Sequence, residues 1–234
     1  MKASEIIDLL RDNGNEQRAA NCAWFFKAGK GGYGEGDVFL GVTVPQTRKI
    51  ARLFRNASLE ERERLLNSKY HEARLLALIS LAEAFRKGNE HTRQSIFQLY
   101  LRNTGKVNNW DLVDTSAPHI AGAWLWDKDK LPLYSLANSE SLWDRRISII
   151  ATQSFIKRNH FEDALNISDI LLHDREDLIH KAVGWMLREV GNKDRVVEES
   201  FLKPRYTKMP RTMLRYAIEK FEPEIRKAYM QGYA

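Results

Sequence analysis

Several features that define large protein classes are scarce or missing in this sequence. Cys22 is its single cysteine, which excludes an internal disulfide and fits a reducing compartment, where a lone cysteine usually serves as a small apolar side chain. No stretch approaches the roughly 20 consecutive apolar residues that span a bilayer, and the acidic Glu5 comes too early for a secretion signal. These absences predict a soluble, cytoplasmic protein.

The motifs of metalloenzymes and of common hydrolases are missing as well. The 6 histidines show neither an H-E-x-x-H motif nor a paired spacing, so we expect no metal site. The G-x-S-x-G motif of serine hydrolases is absent. Asp111 and Asp114 lie too close along one helix to oppose each other as the two carboxylates of a glycosidase must. The sequence therefore predicts no metal ion and no serine-hydrolase or paired-carboxylate glycosidase mechanism.

Glycine is concentrated in one segment, residues 27–41. Gly29, Gly31 and Gly34 match G-x-G-x-x-G, but no predicted strand precedes them, so the match is weak evidence for a dinucleotide site. No G-K-[ST] ending follows, which excludes a P-loop. We interpret this segment, including the loop 29–36 and both Lys27 and Lys30, as a mobile connection whose lysines contact phosphate.

The residues that are abundant favour a globular protein with an anionic partner. With 234 residues, of which 43% are hydrophobic, the chain can bury a full core. Lys and Arg number 37 against 31 Asp and Glu, a formal net charge of +6. Such an excess modestly favours binding to an anion such as nucleic acid.

Apolar runs of helical spacing recur along the chain. The basic or aromatic residue near the start of successive runs repeats every 34 to 36 residues, at Arg74, Trp110, Arg146, Lys181 and Arg215. This periodicity predicts an all-α protein, an α-solenoid of HEAT-like helix-pair repeats that forms one domain over residues 1–234. If the second helix of each pair lines the concave side, these residues form a basic concave face that suits a phosphate backbone.

The stretch from Asn108 to Gly122 is the candidate centre of the protein. Asn108 and Asn109 are good N-cap residues, and Trp110 and Asp114, four positions apart, share one face of the helix that follows. Pro118 has no N–H for the carbonyl of Asp114, and its ring crowds that carbonyl. We therefore expect the helix to kink there.

A single carboxylate among cations suits the hydrolysis of a glycosidic bond whose leaving group is already positive. In N3- or N7-alkylated purines the base leaves without an acid to protonate it, and positive charge develops on the deoxyribose. Asp114 would stabilise that charge and orient the attacking water. Trp110 and Trp185 would hold the sugar, Arg146 would bind a neighbouring phosphate, and Trp143 would stack beside it.

The chain resembles the AlkD-like DNA alkylation repair family, the HEAT-like-repeat alkylpurine DNA glycosylases. The resemblance covers nearly the whole chain and lies in four segments, FLGVTVPQTR (39–48), WDLVD (110–114), WDRR (143–146) and KAVGWMLRE (181–189). Members often carry a second aromatic residue before the tryptophan, where this chain has Asn109.

The resemblance implies a cofactor-free, monofunctional DNA glycosylase of base excision repair, a monomer that acts on duplex DNA containing alkylated purines. The family's catalytic residues fall on Asp114, Trp110, Arg146 and Trp185. From these segments and the periodic pattern, the residues expected to contact DNA are Arg48, Arg74, Trp143, Arg145, Lys181, Arg188 and Arg215.

Two other functions remain open at this stage. One is a non-catalytic HEAT-repeat protein that binds damaged, bent or branched DNA with the same basic groove. The other is a protein-interaction scaffold, which needs no basic surface and predicts little salt-sensitive binding to DNA. Release of a base from methylated duplex DNA distinguishes the enzyme from both.

Overall fold

Helices form most of the protein in a computed structural model that describes residues Met1–Ala234. The chain divides into two compact units, Met1–Ile120 and Ala121–Ala234. The fold class is all-α as predicted, and the single pairing of strand type is an isolated bridge between Val38 and Tyr70. The assignment of one domain to residues 1–234 stays a prediction, and the two units are described separately.

The first unit contains seven α-helices and one 3-10 turn. They are α1 (Ala3–Asp12), α2 (Glu16–Phe25), α3 (Val44–Leu53), α4 (Leu59–Leu66), α5 (His71–Lys87), α6 (Glu90–Arg102), the turn Thr104–Lys106 and α7 (Trp110–Ser116). Helix α5 is buried on nearly every side and packs against α1, α3, α4, α6 and α7. A helix that is buried on nearly every side lies at the centre of a core, so α5 positions its neighbours.

The second unit begins within a π-helical turn, Pro118–Gly122. The helices that follow are α8 (Ala123–Leu125), α9 (Leu131–Ala137), α10 (Leu142–Ala151), α11 (Gln153–Ile156), α12 (Glu162–Ile170), α13 (Asp177–Gly191), α14 (Arg195–Leu202), α15 (Arg211–Ala217), the 3-10 turn Ile218–Lys220 and α16 (Pro223–Gln231). Helix α13 is central here, packing against α10, α12, α14 and α15.

The predicted periodicity corresponds to real helix starts. Trp110 is the first residue of α7, and the four basic residues of the periodic pattern lie in the first two turns of α5, α10, α13 and α15. Gly184, in the middle of α13, lets α15 approach closely, because a Cβ there would lie 2.4 Å from the carbonyl oxygen of Met213. The glycine of the KAVGW segment is thus a packing residue.

The FLGVTVPQTR segment connects α2 to α3 and is held by one buried acid. Glu72 accepts hydrogen bonds from the backbone N–H groups of Leu40, Gly41 and Val42 at 2.8 to 3.3 Å. Gly41 has a φ of +75° and touches α2, where a Cβ would lie 2.2 Å from the carbonyl oxygen of Asn15. Only glycine fits this backbone position.

None of the helices is both long and apolar enough to cross a membrane. Cys22 lies half-buried on α2, and burial raises the pKa of its thiol.

Candidate active site

Helix α7 begins as its sequence predicts, and the same residue ties it to the core. The Asn109 side chain caps the helix by accepting a hydrogen bond from the Trp110 N–H at 2.9 Å. Its amide nitrogen donates to the Asp37 carboxylate at 3.3 Å, and the whole residue is buried. Family members often have an aromatic residue at this position. In this chain, Asn109 instead caps α7 and links it to the end of the glycine-rich segment.

Trp110 belongs to a stack of aromatic rings. Phe26 lies between Trp110 and Phe39, with ring centroids 5.3 Å from each and interplanar angles of 27° and 13°. Phe25 meets the Trp110 ring edge-on at 6.0 Å. Such ring contacts hold the indole in one orientation, so α2 and the 39–43 segment position the first residue of α7.

A buried network of four charged residues lies beneath this stack. His71 is the centre, with Nδ1 at 2.9 Å from Asp37 and Nε2 at 2.8 Å from Asp111, and its ring stacks on Phe39 at 4.6 Å. Asp37 also accepts a hydrogen bond from the guanidinium of Arg74, forming a buried ion pair. Two carboxylates therefore face two cations, so the network is formally neutral.

The pairing sets the ionisation of these groups. Burial by itself would lower the pKa of His71, but hydrogen bonds and charge from Asp111 and Asp37 outweigh it and raise the pKa to about 9. Burial by itself would raise the pKa of Asp37, but His71 and Arg74 hold it below its usual range. His71 is therefore an imidazolium at neutral pH.

The candidate catalytic acid lies one helical turn after Trp110. Helix α7 buries Leu112, Val113 and Ser116, whereas Trp110, Asp111 and Asp114 are half-buried along its other side. Asp111 turns one oxygen toward His71, and its other oxygen is buried without a hydrogen-bond partner. Asp114 lies on this same side of α7, one helical turn after Trp110.

The predicted interruption of the central helix is present. The α-helical hydrogen bonding of α7 ends at Ser116, and residues Pro118–Gly122 form a π-helical turn before α8. Pro118 cannot donate the hydrogen bond that would continue the regular helix. Asp114 therefore lies in the last regular turn before the break.

The other predicted catalytic residues belong to the second unit. The Arg146 side chain is 5% exposed, and its guanidinium donates to the Leu178 carbonyl oxygen at 2.5 Å. Trp185 is half-buried on α13, and its indole N–H donates to the Glu189 carboxylate at 3.0 Å. Trp143 is half-buried in the first turn of α10. Their catalytic and stacking roles stay predictions.

The structure corrects the expected exposed track of cations. Arg74 is 4% exposed, and its guanidinium binds Asp37 and the carbonyl oxygens of Ser68 and Lys69. Its charge neutralises a buried carboxylate, and its role as a DNA contact stays a prediction. Since Arg146 is buried too, the five periodic residues do not share one exposed surface.

The remaining predicted DNA contacts differ in how far their charges are already paired. Arg145 binds the Asp174 carboxylate and two backbone carbonyl oxygens, so its guanidinium is largely occupied. Lys181 pairs with Asp177 at 2.7 Å, and Arg188 pairs with Glu219. Arg48 on α3 and Arg215 on α15 are exposed.

The glycine-rich segment makes hydrogen bonds within the fold, and its mobility stays a prediction. Gly34 N–H and Gly36 N–H donate to the carbonyl oxygens of Lys27 and Ala28, and Gly31 N–H donates to the Glu35 carboxylate at 2.8 Å. These bonds deliver Asp37, at the end of the segment, to His71 and Arg74. The segment thereby forms one wall of the site.

A comparison with known protein families assigns the chain to one of them. The family described as "DNA alkylation repair enzyme" matches residues 6–221. The chain belongs to the DNA alkylation repair enzyme family. It is also similar in fold to a predicted DNA alkylation repair enzyme from Enterococcus faecalis, with a TM-score of 0.71 at 16% identity over 90% of this chain and 98% of that chain. No curated protein matches the chain.

Sequence reasoning missed several residues that shape the candidate site of this family member. Asp37 and His71 were not singled out, and the ring stack of Phe26 and Phe39 was not foreseen. Asp37 and Asp111 lie 34 and 40 positions from His71, so no local pattern pairs them. The available signal was a histidine at the start of a helix whose middle is largely apolar, because a buried histidine needs a polar partner.

Proposed function

We propose that this protein is a DNA glycosylase that releases cationic N3- or N7-alkylated purines from duplex DNA. The observation that carries the proposal is the position of Asp114. This acid is half-buried one turn from a tryptophan whose ring contacts Phe25 edge-on and stacks on Phe26. The family, which comprises DNA alkylation repair enzymes, supports DNA as the substrate.

The alkylated base explains why one acid is enough. An N3- or N7-alkylated purine carries a positive charge, so it leaves with the electron pair of the N-glycosidic bond and becomes neutral. Positive charge then appears on the deoxyribose, where a carboxylate stabilises it electrostatically. Water adds to C1′ and loses one proton, for which Asp114 is the acceptor.

The neighbouring acids support this assignment because they are committed elsewhere. Asp37 and Asp111 are both bound by His71, and Asp37 also by Arg74. A carboxylate held in a neutral buried network contributes little field to an approaching cation. We therefore assign neither of these two acids to the developing charge, and the resemblance places that role on Asp114.

The other proposed roles follow the resemblance. Trp110 contacts the sugar with its fixed indole and excludes bulk water. Arg146 binds a phosphate next to the lesion, and Trp185 contributes a second aromatic surface. Arg48 and Arg215, both exposed, supply phosphate contacts that give affinity without sequence preference.

The decisive experiment measures release of 7-methylguanine from a methylated duplex by the wild type and by Asp114→Asn. We expect the variant to lose at least about 100-fold in single-turnover rate, the usual cost of removing one preorganised electrostatic contact. Its affinity for DNA should stay the same or rise slightly. Asp12→Asn, an exposed acid of α1, is the matched control and should release the base normally.

Two results would reject the proposal. Equal release by the wild type and Asp114→Asn would remove Asp114 from the chemistry. No release by the wild type, together with salt-sensitive binding to the duplex, would identify a non-catalytic DNA-binding protein.

A further inference from the structure

The end of α2 presents two large aromatic side chains to solvent. Trp24 is 82% exposed and Phe25 is 56% exposed. Trp24 is thereby the most exposed of the large hydrophobic side chains. Neighbouring aromatic residues at such exposure contribute little to a core and are typical of a binding surface.

These rings border a groove that the glycine-rich segment completes. The groove is lined by Ala23, Trp24, Phe25, Lys27, Asp37 and residues 28–32, and we name it the Trp24 groove. Its volume is about 900 Å³, enough for a nucleotide. Gly29 and Gly31 face open space, because a Cβ at either position would meet no atom within 4 Å.

The charges of the Trp24 groove favour an anion that carries an aromatic ring. Lys27 and Lys30 are exposed beside the aromatic side chains. Of the nearby acids, Glu35 is bound to the Gly31 N–H, and Asp37 is neutralised by Arg74 and His71. Two lysines next to an exposed indole match the phosphate and base of a nucleotide.

The groove is also continuous with the candidate active site. Phe25 lines the groove and meets the Trp110 ring edge-on at 6.0 Å. A DNA strand that reaches Trp110 therefore passes the groove within the reach of an adjoining nucleotide.

We propose that the Trp24 groove binds one unstacked nucleotide of the DNA, with its base on the Trp24 ring and its phosphate between Lys27 and Lys30. The proposal rests on the proposed function in one respect, that the ligand is DNA. It does not require base excision. It predicts that the protein prefers a duplex with an unpaired nucleotide over a fully paired duplex.

The test compares two short duplexes of the same sequence, one fully paired and one with a single unpaired thymine, by fluorescence anisotropy at a fixed salt concentration. The wild type should bind the duplex with the unpaired thymine more tightly. Trp24→Ala should lose roughly 10-fold in affinity for that duplex, the usual contribution of one stacked base. Trp24→Phe should retain most of the preference, because it keeps an aromatic face.

Further variants separate the contribution of base stacking from that of charge and from nonspecific hydrophobic binding. Lys27→Ala and Lys30→Ala should each reduce the slope of log affinity against log salt by about 1. Val196→Ala is the matched control, because Val196 is an apolar side chain, 73% exposed, on the second unit; it should bind both duplexes like the wild type. Trp24 is so exposed that its replacement should leave folding intact.

Three results would overturn the proposal. The first is an equal loss by Trp24→Ala on both duplexes, or no loss on either. The second is a Trp24-dependent fluorescence shift with phosphatidylserine vesicles and none with DNA, which would identify a membrane-binding patch. The third is self-association that Trp24→Ala abolishes in sedimentation, without a change in DNA affinity. Failure of base release by the wild type would leave this test intact, because it measures binding alone.

Discussion

Buried charge is handled differently in the two units of this protein. In the first unit, Asp37, His71, Asp111 and Arg74 form a network in which each carboxylate meets a cation. In the second unit, Glu198 on α14 is 2% exposed, and its Oε1 has no hydrogen-bond partner. Burial raises the pKa of Glu198 to about 8, so this acid is neutral at neutral pH.

The difference shows what each buried group contributes. A buried carboxylate stays ionised when cations and hydrogen-bond donors replace the water it has lost, and it takes up a proton when they do not. The paired network lies under Trp110 and fixes the start of α7. Glu198 lies against Gly191, where a Cβ would come within 1.7 Å of its carboxylate, so its surroundings are shaped around an uncharged acid.

Breaking the paired network should have the largest effect on stability. Asp37→Ala leaves Arg74 and His71 buried without their shared acid, which typically costs about 3–5 kcal/mol of the free energy of unfolding. Urea denaturation at neutral pH measures this loss. Glu83→Ala, which breaks the exposed pair with Lys87, should cost less than about 1 kcal/mol. A similar small cost for both would show that the network is not a stabilising unit.

Replacing the buried acid Glu198 should raise the free energy of unfolding instead of lowering it, and the size of the effect should depend strongly on pH. The folded-state pKa of Glu198, about 8, exceeds its ordinary value of 4.5, so its contribution to stability is present below pH 4.5 and is lost as pH rises toward 8. At pH 7.5 this loss amounts to at most about 4 kcal/mol. Glu198→Gln should therefore flatten the dependence of urea midpoint on pH between 4.5 and 8. An unchanged slope would contradict an uncharged Glu198.

The contribution of His71 to stability should change over a higher pH range than that of Glu198. The pKa of His71 rises from 6.5 to about 9 on folding, so its stabilising contribution is full below pH 6.5 and is lost as pH rises through 9. The loss is roughly 3 kcal/mol. His71→Gln should abolish this part of the pH dependence in thermal unfolding, whereas His91→Gln, at an exposed position, should leave it unchanged. The same slope in both variants would place the titration elsewhere.

The smallest expected effect concerns the cap of α7. Asn109→Ala removes the hydrogen bond to the Trp110 N–H and the bond to Asp37. Loss of an N-cap costs about 1 kcal/mol, which thermal denaturation can resolve. Asn89→Ala, which removes the cap of α6 far from the network, is the comparison. If Asn109→Ala costs no more than Asn89→Ala, the bond to Asp37 adds nothing to the cap.

Local structure was predictable where neighbouring residues decide it. The Asn109 cap, the start of α7 at Trp110 and the interruption at Pro118 follow from hydrogen-bond donors and acceptors within a few positions of the chain. The recurrence of helix starts follows from apolar periodicity. The conformation of the glycine-rich segment was not predictable, because its turns depend on bonds to Lys27 and Ala28 and its end depends on partners in other helices.

By itself, the amino-acid order determined an all-helical protein, the beginning and interruption of its central helix, and the placement of an acid one turn from a tryptophan. Only the tertiary structure decided which charged side chains are buried in ion pairs inside the protein. Arg74 reads as a surface cation, yet the fold buries it against Asp37. The physical reason is that the free energy of a charged side chain depends on the partners around it in space, and those partners come from distant parts of the chain.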